Sequence, residues 1–201
     1  MHILILGGTG FMGPRVVRLL HEQGHEITVF HRGQTETDLP PDVHHIHCGN
    51  APHLLNFVDW KAQLLPQFTN EFKRFAPDVV LDMVPIGEQD TQAVMKTFQG
   101  IARRIVAISS IDVYRAYGRI HRTEEGPIDP IPFTEEGPLR KNLFSPFRGE
   151  TPRRQDDPMK AMDDHDKIVV ERVVMGHPDL PGTVLRLPMV YGTWRPCPSH
   201  V

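Results

Sequence analysis

An unbroken apolar run, Ile3 to Leu6, passes without a spacer into Gly7-Gly8-Thr9-Gly10-Phe11-Met12-Gly13. A strand with no polar alternation belongs in a sheet covered on both faces, as parallel α/β sheets are. The glycines of such a loop divide the work: one allows the sharp exit from the strand, one lets a phosphate approach bare backbone, and one lets the next helix pack against the strand. The segment from Phe11 to about Gly24 carries Val16, Val17, Leu19 and Leu20 toward the sheet at helical spacing. Its unpaired amino-terminal amides face the loop, where an anion binds. The glycines satisfy G-x-G-x-x-G at 8, 10 and 13 and G-x-x-G-x-x-G at 7, 10 and 13, in the strand and helix context that a dinucleotide pyrophosphate requires.

Strand and helix patterns then alternate, which predicts βαβ units and a parallel sheet. Strands are expected at Glu26 to Phe30, Val43 to His47, Asp78 to Met83, Arg104 to Ser109 and Thr183 to Leu187. Helical spacing covers Leu54 to Phe75, Thr91 to Gly100 and Met159 to Met175. Between Gly118 and Pro158 the chain is rich in Pro, Gly, Arg and Glu and has no clear period, so a functional excursion is expected there.

With 22 basic and 25 acidic residues interspersed, the net charge of -3 makes no global electrostatic case for nucleic acid. No apolar run approaches a membrane span, and the amino terminus reads as a core strand with no signal-peptide character. Two cysteines, Cys48 and Cys197, are too few for a disulfide framework. A cytoplasmic domain of enzyme size is the expectation. His44, His45 and His47, with His31 and Cys48 nearby, invite a metal reading. Neighbouring strand residues face opposite ways, so His44 and His45 cannot converge, and no zinc spacing appears; no metal site is expected.

The end of the second strand discriminates between cofactors. An acidic residue there binds the ribose 2′-hydroxyl of NAD, whereas an arginine accommodates the 2′-phosphate of NADP. This chain reads Phe30-His31-Arg32-Gly33, with no carboxylate before Glu36. Arg32 thus favours NADP, with NAD as the alternative.

Taken with the glycine loop, three further motifs stand in a telling order: Ser109-Ser110 with Val113-Tyr114, Lys167 with Val170-Glu171, and Arg186-Leu187-Pro188-Met189-Val190-Tyr191-Gly192. In order and spacing the chain resembles the extended short-chain dehydrogenase/reductases, the NAD-dependent epimerase/dehydratase family, over residues 1–192. The Arg-Gly after the second strand and the Asp-Met ending the fourth resemble its atypical branch, which includes chloroplast stem-loop RNA-binding relatives. The resemblance implies a Rossmann-type, doubly wound parallel α/β sheet. It also implies a cofactor site of Gly7, Gly8, Thr9, Gly10, Phe11, Met12, Gly13, Arg32, Asn50, Met83, Val84, Ser109, Lys167 and Pro188. A small-molecule substrate is implied where the protein is active, and a homodimer through helices near 88–100 and 159–175.

The family's chemistry uses a tyrosine as proton relay, a lysine four residues later that lowers the phenol's pKa from about 10, and a serine on the same substrate oxygen. The resemblance gives Ser110 and Lys167 two of these roles, and Asp163 stands where the tyrosine belongs. On a continuous helix Asp163 and Lys167 share a face and form an ion pair, which keeps the carboxylate ionised and a poor proton donor. His165, Tyr114 and Tyr117 are conceivable substitutes, His165 on another side of that helix.

Residues 193–201 depart from the family's Tyr-Gly-Pro-Gly continuation, and the resemblance leads to the expectation that most of a carboxy-terminal substrate lobe is missing. ACC TGG CGA CCC TGC CCA TCG CAC is one legal encoding of Thr193 to His200; read one base later it gives Pro-Gly-Asp-Pro-Ala-His-Arg, so the tail reads as a frameshift product. Three readings stand at this stage: an oxidoreductase or nucleotide-sugar epimerase-like enzyme, a redox-silent NADP-binding or RNA- or partner-binding protein, and a nonfunctional truncated product.

Overall fold

The computed structural model describes residues 1–33, 35, 37–49, 60–132, 134–143, 151–154, 157 and 160–192. In chain order the elements are β1 (His2–Leu6), α1 (Gly13–Glu22), β2 (Glu26–His31), β3 (His44–His47), α2 (Trp60–Leu64), α3 (Thr69–Phe75), β4 (Val79–Asp82), α4 (Glu88–Phe98), β5 (Arg104–Ser110), α5 (Arg115–Ile120), α6 (Lys167–Gly176) and β6 (Gly182–Leu187). The six strands form one parallel sheet in the order β3-β2-β1-β4-β5-β6. This is the doubly wound Rossmann arrangement, whose strand order reverses between β1 and β4. In sheets of this kind ligands bind in the crevice outside the carboxyl ends of the strands at such a reversal, and here the glycine loop directly follows β1.

Both faces of β1 are buried, as its continuous apolar run requires. Leu4 and Leu6 join Phe30, Val80 and Ile105 against Phe72, Met95, Phe98 and Val170 of the helices on one face. Ile3 and Ile5 join Ile27, Val29 and Leu81 against Val17 of α1 on the other. Each fully buried side chain of this size contributes about 1.5–3 kcal/mol. Leu19, expected on the sheet side of α1, is instead 39% exposed, because Val17 and its half-buried neighbours Val16 and Leu20 occupy the inward stripe.

Two predicted helices are broken. Of the span 54–75, residues 54–59 lie outside the described residues, and Pro66 divides the remainder into α2, a 3-10 turn over Leu65–Phe68, and α3. Proline cannot donate to the preceding turn, so the α-helix stops. The span 159–175 fails for a different reason. Asp166 adopts an extended backbone (φ -152°, ψ 116°) and its carboxylate accepts from the Ile168 amide at 2.8 Å, so Asp166 caps a helix that begins only at Lys167. Residues Lys160–Asp163 form a separate 3-10 turn.

The excursion after β5 starts with α5 and is tied down by ion pairs: Arg115 and Arg119 both donate to Asp129 at 2.7 Å. Arg140 lies fully within the structure, donating to the Asp112 carbonyl, to the Asn142 carbonyl at 2.6 Å and to the Asp166 carboxylate at 3.5 Å. It joins the turn after β5 to the start of α6. No helix among the described residues is long and apolar enough to cross a membrane.

Candidate functional site

The glycine loop is shaped by close packing on one side and by open space on the other. Gly7 turns out of β1 at φ +83°, and its amide donates to the Phe30 carbonyl at 3.0 Å. A Cβ at Gly7 would sit 2.8 Å from a methyl of Val84, and one at Gly13 would sit 2.3 Å from the Gly8 carbonyl oxygen. At Gly10 a Cβ would meet nothing within 4 Å among the described residues. The loop backbone is therefore bare toward solvent at Gly10 and pressed against α1 at Gly13. Met12 occupies the cap position of α1 without a side-chain hydrogen bond to its amides, and Pro14 enters the first turn. An uncapped helix start beside a side-chain-free stretch of backbone fits a pyrophosphate. Thr9 is buried, and Phe11 is 46% exposed over the loop.

Beyond β2, His31 is buried, Arg32 is half-buried and Gly33 turns at φ +74°. Burial pushes the Cys48 thiol pKa up, a shift that the charge of Arg32 opposes. Asn50 lies outside the described residues. Met83 continues β4 by donating its amide to the Leu6 carbonyl at 3.1 Å.

A buried charge cluster that the sequence analysis missed supports this end of β4. Lys61 of α2, fully buried, donates to both carboxylate oxygens of Asp82 at 2.8 Å, to the Val84 carbonyl at 2.9 Å and to Asp90 at 3.0 Å. Asp90 also accepts from the Ile86 amide at 3.1 Å. One ammonium thus serves two buried carboxylates. Desolvation pushes the Asp90 carboxyl up to about 6 against the pull of Lys61, with the Asp82 charge adding to the rise. The cluster fixes Val84, the residue that packs on Gly7. Its signal in the sequence is the acid that ends the apolar run Val79-Val80-Leu81-Asp82.

Ser110 ends β5, and its hydroxyl accepts from the Asp112 amide at 3.2 Å. Lys167 is buried and donates to the Pro85 carbonyl. Desolvation lowers its pKa to about 8, partly offset by Asp82. The helical ion pair expected between Asp163 and Lys167 is not formed, because the Asp166 cap separates the two residues. Asp163 instead accepts from the Arg153 guanidinium at 2.6 Å, the Arg153 amide at 2.8 Å and Lys160 at 3.0 Å. Desolvation would raise its pKa, but these bonds from Lys160 and Arg153 outweigh it and hold the carboxyl down at about 2. Asp163 is a structural anion at neutral pH, engaged by Arg153 and Lys160.

His165, half-buried between these groups, has its pKa lowered to about 4 by desolvation and then by the charge of Lys167. The unfolded chain, with an imidazole pKa near 6.5, therefore takes up this proton first on acidification. His165 contributes stability that is present above about pH 6.5 and lost as the pH falls toward 4. Asp90 acts oppositely: its raised carboxyl pKa makes the folded state the better proton binder between about 4 and 6, so its share of stability falls as pH rises there. His165→Gln is expected to remove an upward slope worth about 2 kcal/mol across this window, leaving that of Asp90. Urea denaturation of both proteins from pH 4 to 7 measures the difference.

The remaining motif residues form a clasp. Ser109 donates to Glu171 at 2.6 Å, and Arg186 grips the same carboxylate through two nitrogens at 2.9 and 2.7 Å. Arg186 also donates to the Tyr114 hydroxyl at 3.0 Å and lies over its ring. Ser109, expected at the cofactor, is engaged in this link between β5, α6 and β6. Tyr114 is held by the same arginine, and Pro188 is exposed beyond β6. A cleft of about 780 Å³ runs beside this clasp, lined by Ile111, Tyr114, Glu135, Leu185 and Leu187.

The histidines of β2 and β3 are arranged by strand alternation and by register together. His44 and His45 face opposite sides, as the alternation demands. Yet β3 pairs with β2 in the register Val29↔His45 and His31↔His47, which brings His31, His45 and His47 together on one face.

Residues 3–97, which carry the glycine loop and the first four strands, match the model of the NAD dependent epimerase/dehydratase family. No curated protein sequence matches the chain. Among solved structures, the enzyme WbmG of Bordetella bronchiseptica in complex with NAD is 20% identical, with a TM-score of 0.59 over 92% of this chain and 52% of that one. UDP-glucose 4-epimerase of Brucella ovis in complex with NAD is 15% identical, with a TM-score of 0.58 over 92% and 51%. The Thermotoga maritima UDP-glucose 4-epimerase with UDP-glucose is 14% identical, with a TM-score of 0.59 over 92% and 55%. The chain has the fold of these proteins and spans about half their length.

Proposed function

We propose that this chain, whose residues 3–97 are of the NAD dependent epimerase/dehydratase type, is a nicotinamide-dinucleotide-binding protein that prefers NADP to NAD. The observation that carries the reading is the bare backbone at Gly10 beside the uncapped start of α1. Gly7, Gly8, Thr9, Gly10 and Gly13 would hold the pyrophosphate, with Val84 and Met83 walling the crevice. Arg32 would meet the 2′-phosphate, since no carboxylate follows β2 before Glu36 to receive a ribose hydroxyl. Support for the cofactor class comes from the two NAD complexes of the same fold. A bound nicotinamide supplies hydride acceptance or donation at the carboxyl end of the sheet.

At that end the chain offers the Ser110 hydroxyl as a hydrogen-bonding group for a substrate oxygen. Lys167, with its pKa near 8, is an ammonium close to neutrality that its Pro85 bond orients. A substrate would be a small molecule with a secondary hydroxyl or carbonyl; a nucleotide sugar is the class suggested by the Thermotoga maritima neighbour solved with UDP-glucose. Arg32→Ala is expected to weaken NADPH binding about tenfold and NADH binding less than twofold, about 1.4 kcal/mol specific to the 2′-phosphate. Fluorescence titration of both dinucleotides reads this directly, and equal losses for the two would remove the NADP preference.

A second reading, cofactor binding without hydride transfer, is favoured by one observation: Asp163 is committed to Arg153 and Lys160. On this reading Asp163→Tyr restores no turnover, because position 163 lies in a 3-10 turn outside α6. It also lowers stability by about 1–3 kcal/mol, since Arg153 and Lys160 lose their partner. A gain of dinucleotide-dependent turnover in that variant would contradict the reading.

A further inference from the structure

Three imidazoles converge at the carboxyl ends of β2 and β3, next to Arg32 and Gly33 in the chain. His45 and His47 are two apart on β3 and so project to one face, and the parallel register sets His47 beside His31. The His31 Nε2 and His45 Nδ1 atoms are 2.9 Å apart, and one nitrogen from each of the three rings lies within 4.8 Å of the others. Zinc–nitrogen bonds of about 2.0–2.1 Å at tetrahedral angles require nitrogens about 3.3 Å apart, within reach of small ring rotations from this arrangement. His31 is only 3% exposed, His45 is half-buried and His47 is exposed, so the cluster is anchored on one side and open to water on the other.

We propose that His31, His45 and His47 bind a divalent late transition-metal cation, with Zn²⁺ as the reference ion and water completing its coordination. Neutral imidazole suits Zn²⁺, Co²⁺, Ni²⁺ and Cu²⁺ and discriminates against Mg²⁺ and Ca²⁺, which take oxygen ligands. The proton accounting is simple. Gly33 donates its amide to His31 Nδ1 at 3.3 Å, which assigns the proton of neutral His31 to Nε2, shared with His45. A cation at Nε2 moves that proton to Nδ1 with no net release, and the long Gly33 contact yields, at a glycine of φ +74°. Cys48 is not a ligand: its thiol donates to the His31 carbonyl at 3.4 Å, and its side chain lies in the core on the opposite face of the sheet. The inference does not rest on the dinucleotide reading.

The test uses the untagged full chain. Titration with Co²⁺, followed by visible d–d absorption, is expected to show saturable 1:1 binding, and Zn²⁺ competing against a chromophoric chelator is expected to displace it. His45→Ala and His47→Ala each weaken the affinity at least tenfold, while His44→Ala, on the far face of the same strand, changes it less than twofold. Should His45→Ala fail to fold, the exposed His47 carries the comparison. Absence of saturable binding, or an equal loss in His44→Ala, overturns the proposal.

Discussion

Lys61→Met is expected to cost about 3–5 kcal/mol of folding stability, a large share of the total for a domain of this size. The ammonium is wholly buried and donates to both Asp82 and Asp90. Methionine fills most of the volume, so the loss is electrostatic: two carboxylates remain inside with one compensating charge gone. Adding Asp90→Asn to Lys61→Met is expected to recover part of the loss, because one uncompensated charge disappears with it. Chemical denaturation of the single and double variants separates this from simple packing damage, which Asp90→Asn would not repair. The folded fraction of Lys61→Met is further expected to bind dinucleotide more weakly, since the Val84 carbonyl loses its donor and Val84 packs on Gly7.

Gly13→Ala and Gly10→Ala are expected to fail in different ways. The added methyl at Gly13 would lie 2.3 Å from the carbonyl oxygen and 2.4 Å from the carbonyl carbon of Gly8, backbone atoms that cannot rotate aside. The loop or α1 must move, at about 3 kcal/mol, the upper part of the range for overpacking. Binding falls with it, because the helix start shifts away from the loop. At Gly10 the methyl meets no atom of the described residues within 4 Å, so thermal unfolding is expected to stay within about 0.5 kcal/mol of the parent. Dinucleotide affinity nevertheless falls at least tenfold, because the methyl occupies the space proposed for the pyrophosphate. Loss of affinity without loss of stability is what a binding surface shows and a structural turn does not.

The strands and their parallel arrangement were legible because each is a short apolar run between turn residues, and because strand–helix alternation admits few topologies. The break at 159–175 was hidden by its own periodicity. Apolar residues recur across Asp166, and only the capping bond from its carboxylate to the Ile168 amide shows that two segments meet there. The consequence reached the site: four residues separate Asp163 from Lys167 in sequence, yet they share no helix. Ser109, Glu171 and Arg186 were legible as a motif but not as a clasp, since their hydrogen bonds join β5, α6 and β6. The histidine cluster was dismissed on alternation within one strand. Alternation holds for His44 and His45, but the third imidazole comes from the neighbouring strand, and inter-strand register is a tertiary property that local patterns do not encode.

The central claim is that the turn from β1 into α1 is a dinucleotide cradle. Calorimetric titration of NADPH into the intact protein and into Gly10→Ala tests it most directly. Saturable binding of one NADPH per chain, weakened at least tenfold in the equally stable variant, is the predicted result; a folded parent protein that takes up neither NADPH nor NADH would contradict it.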